Sequence, residues 1–441
     1  MTDPALIQRY HVARSFYESL MKSQWLPQER IIAWQERQLQ QMLAHAHAQV
    51  PFYAGPLGRI RKPDGGFDLS RWEELPIISR EVVEADWDAF QARTLPPGHE
   101  GLISQSTSAS ESQGFRVRKT RFDHTGVACA SFRYADWFGH DYATPLVMIR
   151  AGFIRPERAD DPEDKLWGPP WLPPETRGSR HRLHISTPLD EQLDWLMGLG
   201  QVILNTLPSN AMALAQRSEE RGLRPGIKSI MSVGEKLSRD MREEVRRIWG
   251  CEFSDVYATA ETGLIAIECP QTGLYHLQPE LSRTEIVDDD GHPCPPGKAG
   301  LLVATSLYNF AMPLIRYKFQ DLVEEGPPCT CSRGLPVLSR IIGRKSNLFE
   351  RPDGSLYQPD VSTARIRDIT GARAWQLTQH GAVSFTLALA SPTALSTTEM
   401  PQLQSYLRTL VGDHAEINVI PVNDFPRSKG GKFYPLTRSK S

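Results

Sequence analysis

Short apolar runs, bounded by turn residues and separated by helix-patterned stretches, restrict this chain to an α/β fold with mixed sheets. Residues 146–149, 229–233 and 300–305 read as buried strands. Between them run amphipathic segments. In residues 29–50 the apolar Ile31, Ile32, Trp34, Leu39, Met42, Leu43 and Ala46 fall mostly on one stripe, and Val50-Pro51 ends the helix because a residue before Pro avoids the α region. In residues 238–249, Ser238 is placed as an N-cap and Gly250 as a C-terminal stop. The last hundred or so residues read as a separate small α+β unit. Strand-like runs at 375–378, 382–390 and 416–422 surround a helical pattern at 398–411. A chain of 441 residues exceeds the ~250–300 over which one core keeps growing. The expected division is therefore a large domain over 1–343 and a small one over 344–441. Residues 156–179, rich in Pro, Asp and Gly, read as an irregular surface loop.

Charge and targeting signals exclude several functions. A net charge of −2 leaves no electrostatic footprint for nucleic acid and no polybasic membrane signal. The first residues lack a signal-peptide core, and no apolar run approaches the ~20 residues that cross a bilayer, so a cytoplasmic location is expected. Six cysteines in a chain of this length do not form a disulfide scaffold. Four chemistry-bearing residues, Cys269, His276, Cys329 and Cys331, instead suggest a closed tetrahedral site of the structural zinc type, with Cys294 as an alternative to His276. Buried unligated cysteines are the competing reading.

Several motifs then fall in a telling order. Arg316-Tyr317 precedes Asp321, a carboxylate able to accept from both hydroxyls of a ribose. Upstream are Ser232-Val233-Gly234-Glu235-Lys236 and Tyr257-Ala258-Thr259-Ala260-Glu261. Downstream are Gly343-Arg344-Lys345-Ser346-Asn347 and Pro426-Arg427-Ser428-Lys429-Gly430-Gly431-Lys432. Taken singly each has a bland reading: Glu261 as an acid opening a helix, the Gly234 segment as a βα loop, Lys432 as part of a disordered basic tail. Together they resemble the adenylate-forming superfamily, in its phenylacetate–CoA ligase-like branch. Leu207-Pro208-Ser209 and Val50-Pro51-Phe52-Tyr53 extend the likeness over residues 50–435 or so.

The resemblance implies a large N-terminal domain and a small mobile C-terminal one. It implies ATP-dependent activation of a carboxylic acid as acyl-AMP, followed by transfer to a thiol, with ATP, Mg²⁺ and CoA as ligands. The acid would be aromatic. Transfer to a carrier protein or an amine, and a non-catalytic homologue that only binds acyl or nucleotide groups, remain as alternatives. A homodimer is among the allowed assemblies. Residue by residue, Lys432 would be the cation that stabilises the adenylation transition state and Glu261 the Mg²⁺ ligand. Tyr257 would stack near adenine, Gly234, Glu235 and Lys236 would form the adenine turn, Asp321 would hold the ribose, and Arg344 would reach the nucleotide. Ser108 and Ser110 would face the phosphates from Ser106-Thr107-Ser108-Ala109-Ser110-Glu111-Ser112-Gln113-Gly114, where Ala109 and Ser112 replace family glycines. Glu111 would repel phosphate there unless Arg116, Arg118 or Lys119 offsets it. In the Gly343 motif, Ser346 and Asn347 replace the two family acids. Tyr134, Trp137 and Phe138 are candidates both for an acyl pocket and for the core.

Overall fold

Local chemistry sets the principal elements. Ser238 accepts the Met241 N–H at 3.1 Å and starts the helix Arg239–Trp249, which ends at Gly250 in the left-handed region, φ 71°. Met241, Val245 and Ile248 form its buried stripe. The helix Gln28–Gln49 stops at Val50, before Pro51. The computed structural model describes residues 4–106, 115–151, 165–372, 374–390, 395–423, 425, 427–428 and 430–439.

The chain divides into two compact units. The first comprises residues 1–147, 160–181 and 254–341. Its strands lie in the order Ser282–Val287, Ala299–Ser306, Tyr317–Glu325, Val337–Arg344, Tyr275–Leu277, Gly263–Glu268 and Phe253–Thr259. Phe253–Thr259 and Gly263–Glu268 form an antiparallel hairpin with a register shift between Tyr257 and Ala258. A separate antiparallel pair, Leu102–Ser106 with Arg116–Thr120, brackets residues 107–114 and places Ser106 opposite Arg116.

A desolvated ion pair anchors this unit. Arg133, on the helix Arg121–Trp137, has no exposed surface; its Nη2 lies 2.8 Å from Glu280 Oε1 and its Nη1 2.7 Å from Gln278 Oε1. Nη2 also donates to the Leu20 carbonyl, at the end of the helix Pro4–Ser23. The buried aromatics belong to the same interior. Tyr134 Oη bonds to Ser254, and Trp137 Nε1 donates to Gln24 Oε1 at 2.7 Å, so these two are core residues.

The second unit comprises residues 148–159, 182–253 and 342–441. Gln201–Thr206 and Gly226–Val233 pair in parallel, each followed by a helix, Pro208–Glu220 and Arg239–Trp249. Leu146–Arg150 and Arg180–His184 follow next to Gln201–Thr206 in strand order, and the unit limits fall within these two strands. The terminal hundred residues form a mixed sheet ordered Glu416–Pro421, Ser384–Ala390, Ala374–Gln379 and Leu436–Arg438. The helices Thr363–Thr370 and Glu399–Val411 share its core of Ile366, Leu377, Phe385, Leu387, Leu403 and Leu407.

The sequence places one break at 343/344. The compact units part at 341/342, and residues 148–159 and 182–253 cluster with the terminal segment rather than with the rest of the chain. Within the expected loop 156–179, residues 156–164 lie outside the described residues. Trp167 is buried and donates to the Thr144 carbonyl at 2.6 Å, so the described part is not purely surface.

Removing one partner of a buried ion pair strands the other charge. Glu280→Ala is expected to destabilise the protein by about 3–5 kcal/mol, and the double replacement Arg133→Met/Glu280→Leu by less. Denaturant midpoints of the three proteins check this.

Candidate active site

The predicted residues fall into one group in each unit. In the first, Tyr257 Oη donates to Asp321 Oδ2 at 2.7 Å. This fixes one carboxylate oxygen and leaves the other lone pairs for a ligand. Glu261 lies at the tip of the hairpin between Phe253–Thr259 and Gly263–Glu268, where the Thr262 N–H bonds to Thr259 Oγ1 at 3.1 Å. It does not open a helix. Tyr317 Oη donates to Glu261 Oε1 at 3.4 Å. Burial and the Glu261 carboxylate push the Tyr317 phenol up, so it stays a donor. Phe115 stacks on the Tyr317 ring at 6.0 Å and 11°, and the Arg80 guanidinium lies 5.8 Å over Phe115. The segment that closes the 107–114 connection is thereby tied to the Glu261 hairpin. Ser108, Ser110 and Glu111 themselves lie outside the described residues.

Two cations change meaning. Arg316 is buried at φ 53°. Its guanidinium pairs with Glu285 at 3.0 Å and donates to the carbonyls of Glu73 and Leu75 at 3.0 and 2.7 Å. It is a structural strut, not a nucleotide contact. Lys119 is buried against Asp123 at 3.3 Å, so it does not offset Glu111. The Arg316 partners are distant in sequence, which local motif spacing does not report, whereas Asp123 lies four residues beyond Lys119 in the first turn of the helix Arg121–Trp137.

In the second unit, Glu235 follows the strand Gly226–Val233 through Gly234, φ 84°. Glu235 Oε2 accepts the Ser209 N–H at 3.1 Å, in the first turn of the helix Pro208–Glu220, and Oε1 accepts the Phe433 N–H at 2.9 Å. A helix N-terminus offers unsatisfied N–H groups and favours negative charge. Lys432 immediately precedes Phe433. Its loop is closed by Ser428 N–H to Lys432 O at 3.0 Å and Gly431 N–H to Ser428 O at 2.8 Å. Gly431 has φ 79°, and a Cβ there would sit 2.6 Å from Ile185 Cγ2, so only glycine fits. Arg427 Nη1 reaches Ser209 Oγ at 3.5 Å. The Lys432 segment is thus a docked loop and not a disordered tail. Lys236 Nζ donates to the Ile342 carbonyl at 3.2 Å and to Gln358, so it braces the chain beside Gly343. Arg344 is exposed, ahead of the turn Lys345–Asn347.

Tyr317, Phe115, Arg80, Ser209 and Arg427 were not singled out as site residues by the sequence. Tyr317, Ser209 and Arg427 lie inside quoted motifs, which was the available signal. Phe115 and Arg80 carry none.

A third cluster can hold a metal. One ligand atom each from Cys269, His276, Cys329 and Cys331 lies within 4.8 Å of all the others. His276 Nε2 is 3.2 Å from Cys331 Sγ, and the Cys269 and Cys329 sulfurs are 3.8 Å apart. His276 Nδ1 faces the Leu335 carbonyl at 3.3 Å, a partner that orients the ring with Nε2 toward the thiols. Burial lowers the His276 pKa to about 4, which favours the neutral imidazole a metal requires. Cys294 is not in this group; its sulfur lies near the Ala299 carbonyl at 3.9 Å.

Comparison with known proteins places this geometry. The family model for AMP-binding enzyme matches residues 180–311. A phenylacetate–coenzyme A ligase of Thermus thermophilus is 30% identical over 359 residues, covering 77% of this chain and 76% of that protein. The phenylacetate–coenzyme A ligase of Escherichia coli K12 is 24% identical over 55% of this chain and 57% of its own length. Among solved structures, 2-hydroxyisobutyryl-CoA ligase in the postadenylation state superposes with a TM-score of 0.74 at 17% identity, covering 95% of this chain and 91% of that one. An anthranilate CoA ligase in complex with anthranoyl-AMP gives a TM-score of 0.54 at 13% identity, covering 82% and 73%. These likenesses bear out the expected α/β fold of adenylate-forming enzymes. Among the described residues no helix is long and apolar enough to cross a membrane.

Desolvation raises the Glu235 carboxyl pKa, against the lowering effect of its hydrogen bonds and of Lys432. The folded chain therefore holds this proton more tightly than the unfolded one. Its stabilising contribution is full below the ordinary carboxylate pKa of about 4.3 and is lost as pH rises through the raised value. Melting temperatures against pH are expected to show a wild-type advantage over Glu235→Gln that shrinks as pH rises.

Proposed function

The chain belongs to the phenylacetate–coenzyme A ligase family of AMP-binding enzymes, and we propose that it joins an aromatic carboxylic acid to coenzyme A with ATP as the driving reactant. The reaction has two parts. A carboxylate oxygen of the acid attacks the α-phosphorus of ATP, the bond to the β-phosphate bridging oxygen breaks, and pyrophosphate leaves. The coenzyme A thiolate then attacks the acyl-adenylate carbonyl and AMP leaves with the bonding pair. Activation replaces a poor leaving group, oxide, with a good one, a phosphate monoester.

The docking of the Lys432 loop on Glu235 carries this reading. Two motifs far apart in sequence meet there, one expected at the adenine and one at the transferring phosphate. Negative charge grows on the α-phosphate oxygens as the acid attacks, and a cation held on a tight glycine loop stabilises it without reorganisation. Lys432 takes that role. Asp321, oriented by Tyr257, accepts from the ribose hydroxyls, and Tyr257 itself borders the adenine. Gly234, Glu235 and Lys236 form the turn beside the base. Glu261 suits Mg²⁺, a hard cation that takes one or two carboxylates together with phosphate oxygens. Arg344 reaches the nucleotide from the terminal domain, whose rotation about residues 343–347 would separate the two half-reactions. Ser108 and Ser110 would contact the phosphates.

The cysteine–histidine group supports a structural zinc site. Three thiolates and one imidazole complete a tetrahedron and leave no open position, so the ion would stabilise the fold and take no part in the chemistry.

Acid-dependent ATP–pyrophosphate exchange tests the enzyme reading. Lys432→Ala is expected to lower exchange by about 10²–10³-fold with the melting temperature unchanged. Unaltered turnover in a folded Lys432→Ala protein contradicts the assigned role. Separately, metal analysis of purified protein is expected to find one zinc per chain. Cys329→Ser should lower both zinc content and melting temperature, and a metal-free, equally stable wild type would remove the zinc assignment.

A further inference from the structure

Arg150 ends the strand Leu146–Arg150 in the second unit, level with the carboxyl end of Gln201–Thr206. Thr206 Oγ1 donates to the Ile149 carbonyl at 2.8 Å, which fixes that alignment. Ligands of open α/β sheets bind outside the carboxyl ends of strands. The guanidinium is partly buried. Among the described residues its side chain makes one hydrogen bond, from Nη1 to the neutral Asn205 Oδ1 at 3.4 Å. Asn205 is itself buried and tethered, its Nδ2 donating to the Met231 carbonyl at 2.9 Å. Burial lowers the Arg150 pKa, and among the described residues no acid answers its charge. A shielded cation lacking a counter-charge is costly, and such a residue is retained where a ligand supplies the missing charge.

The position points to the acid substrate. The Arg150 carbonyl accepts the Ile185 N–H at 3.2 Å, and Ile185 is the side chain against which Gly431 packs, beside Lys432. Arg150 is therefore one residue removed from the loop assigned to the adenylation step. The anion it would bind is not the reacting carboxylate, because a carboxylate held in a guanidinium fork is a weakened nucleophile. Nor does it fit a triphosphate, whose several charges call for more than one cation. A guanidinium presents parallel N–H donors that match a carboxylate.

Resting on the ligase reading above, we propose that Arg150 is the specificity-determining residue of the acid pocket and that the preferred acid carries a second, non-reacting carboxylate, which Arg150 and Asn205 receive.

The test is ATP–pyrophosphate exchange with matched acids: phenylacetate against 4-carboxyphenylacetate, benzoate against terephthalate, hexanoate against adipate. Wild type, Arg150→Met and Arg150→Lys are compared. Wild type is expected to favour the diacid in at least one pair. Arg150→Met should lower the diacid-to-monoacid ratio of kcat/KM by at least ~30-fold, mainly through KM for the acid, with KM for ATP unmoved. Arg150→Lys should recover part of the ratio. Arg150→Met should also melt no lower than wild type, since it removes an uncompensated charge; a purely structural arginine would show a fall. A wild type that prefers monoacids, or a variant whose ratio is unchanged or whose KM for ATP rises instead, overturns the proposal and leaves the ligase reading standing. Absence of exchange with every acid overturns the ligase reading and this one with it.

Discussion

Glu235 accepts two backbone N–H groups, those of Ser209 and Phe433, and the chemistry assigned to the second unit depends on that double contact. One comes from the first turn of a helix, the other from the residue after Lys432. A carboxylate placed this way answers the helix N-terminus and at the same time helps to fix the loop that carries Lys432. The loop is short, closed on itself by Ser428, and needs glycine at 431 both for its φ and for the approach of Ile185. The lysine that ends it is thereby presented by backbone geometry, and a preorganised charge of this kind costs no reorganisation when the reaction needs it. Desolvation opposes the arrangement by favouring the protonated acid, and the two N–H donors with Lys432 act the other way. That balance is a reason for glutamate here in place of an amide, which could accept from only one side.

The first unit meets the same problem by a different route. Asp321 and Glu261 are each oriented by a tyrosine hydroxyl, from Tyr257 and Tyr317. All four residues come from Phe253–Thr259, Tyr317–Glu325 or the hairpin tip beside them. Burial and the Glu261 carboxylate keep the Tyr317 phenol protonated and a donor to Glu261 Oε1, while Tyr257 fixes Asp321 Oδ2 and leaves the other Asp321 oxygen for a ligand. The register shift at Tyr257/Ala258 is the backbone feature that accompanies this, as bulges re-aim side chains near sites.

Much of the fold was legible because its signals are local. The Ser238 cap, the Gly250 stop, the Val50-Pro51 termination and the buried strand runs all rest on neighbouring residues, and each appears where the pattern puts it. The motif residues Tyr257 and Asp321, and Glu235 and Lys432, could be named singly, yet their pairing could not be read, since hydrogen bonds between distant segments leave no periodicity. Arg316 shows the limit most plainly. It stands in one motif with Tyr317 and Asp321, but Glu285, Glu73 and Leu75 close around it, and none of these is predictable from the motif. The terminal residues show the converse: basic composition alone suggested disorder, whereas Leu436–Arg438 pairs with Ala374–Gln379 and the preceding loop is docked.

The chain's shielded arginines then sort by what answers their charge. Arg133 has Glu280 and the oxygens of Gln278 and Leu20; Arg316 has Glu285 and two or more carbonyls. Both are interior struts, and desolvation is offset within the fold itself. Arg150 has the amide oxygen of Asn205 and no acid among the described residues. A neutral oxygen at 3.4 Å returns little of what water would have supplied, so among the described residues this cation is incompletely compensated. Strain of that sort persists where a bound molecule relieves it, and such positions concentrate in ligand sites. The contrast with Arg133 and Arg316 comes from the fold's own accounting of charge, and it separates a recognition residue from a structural one without appeal to what related proteins bind.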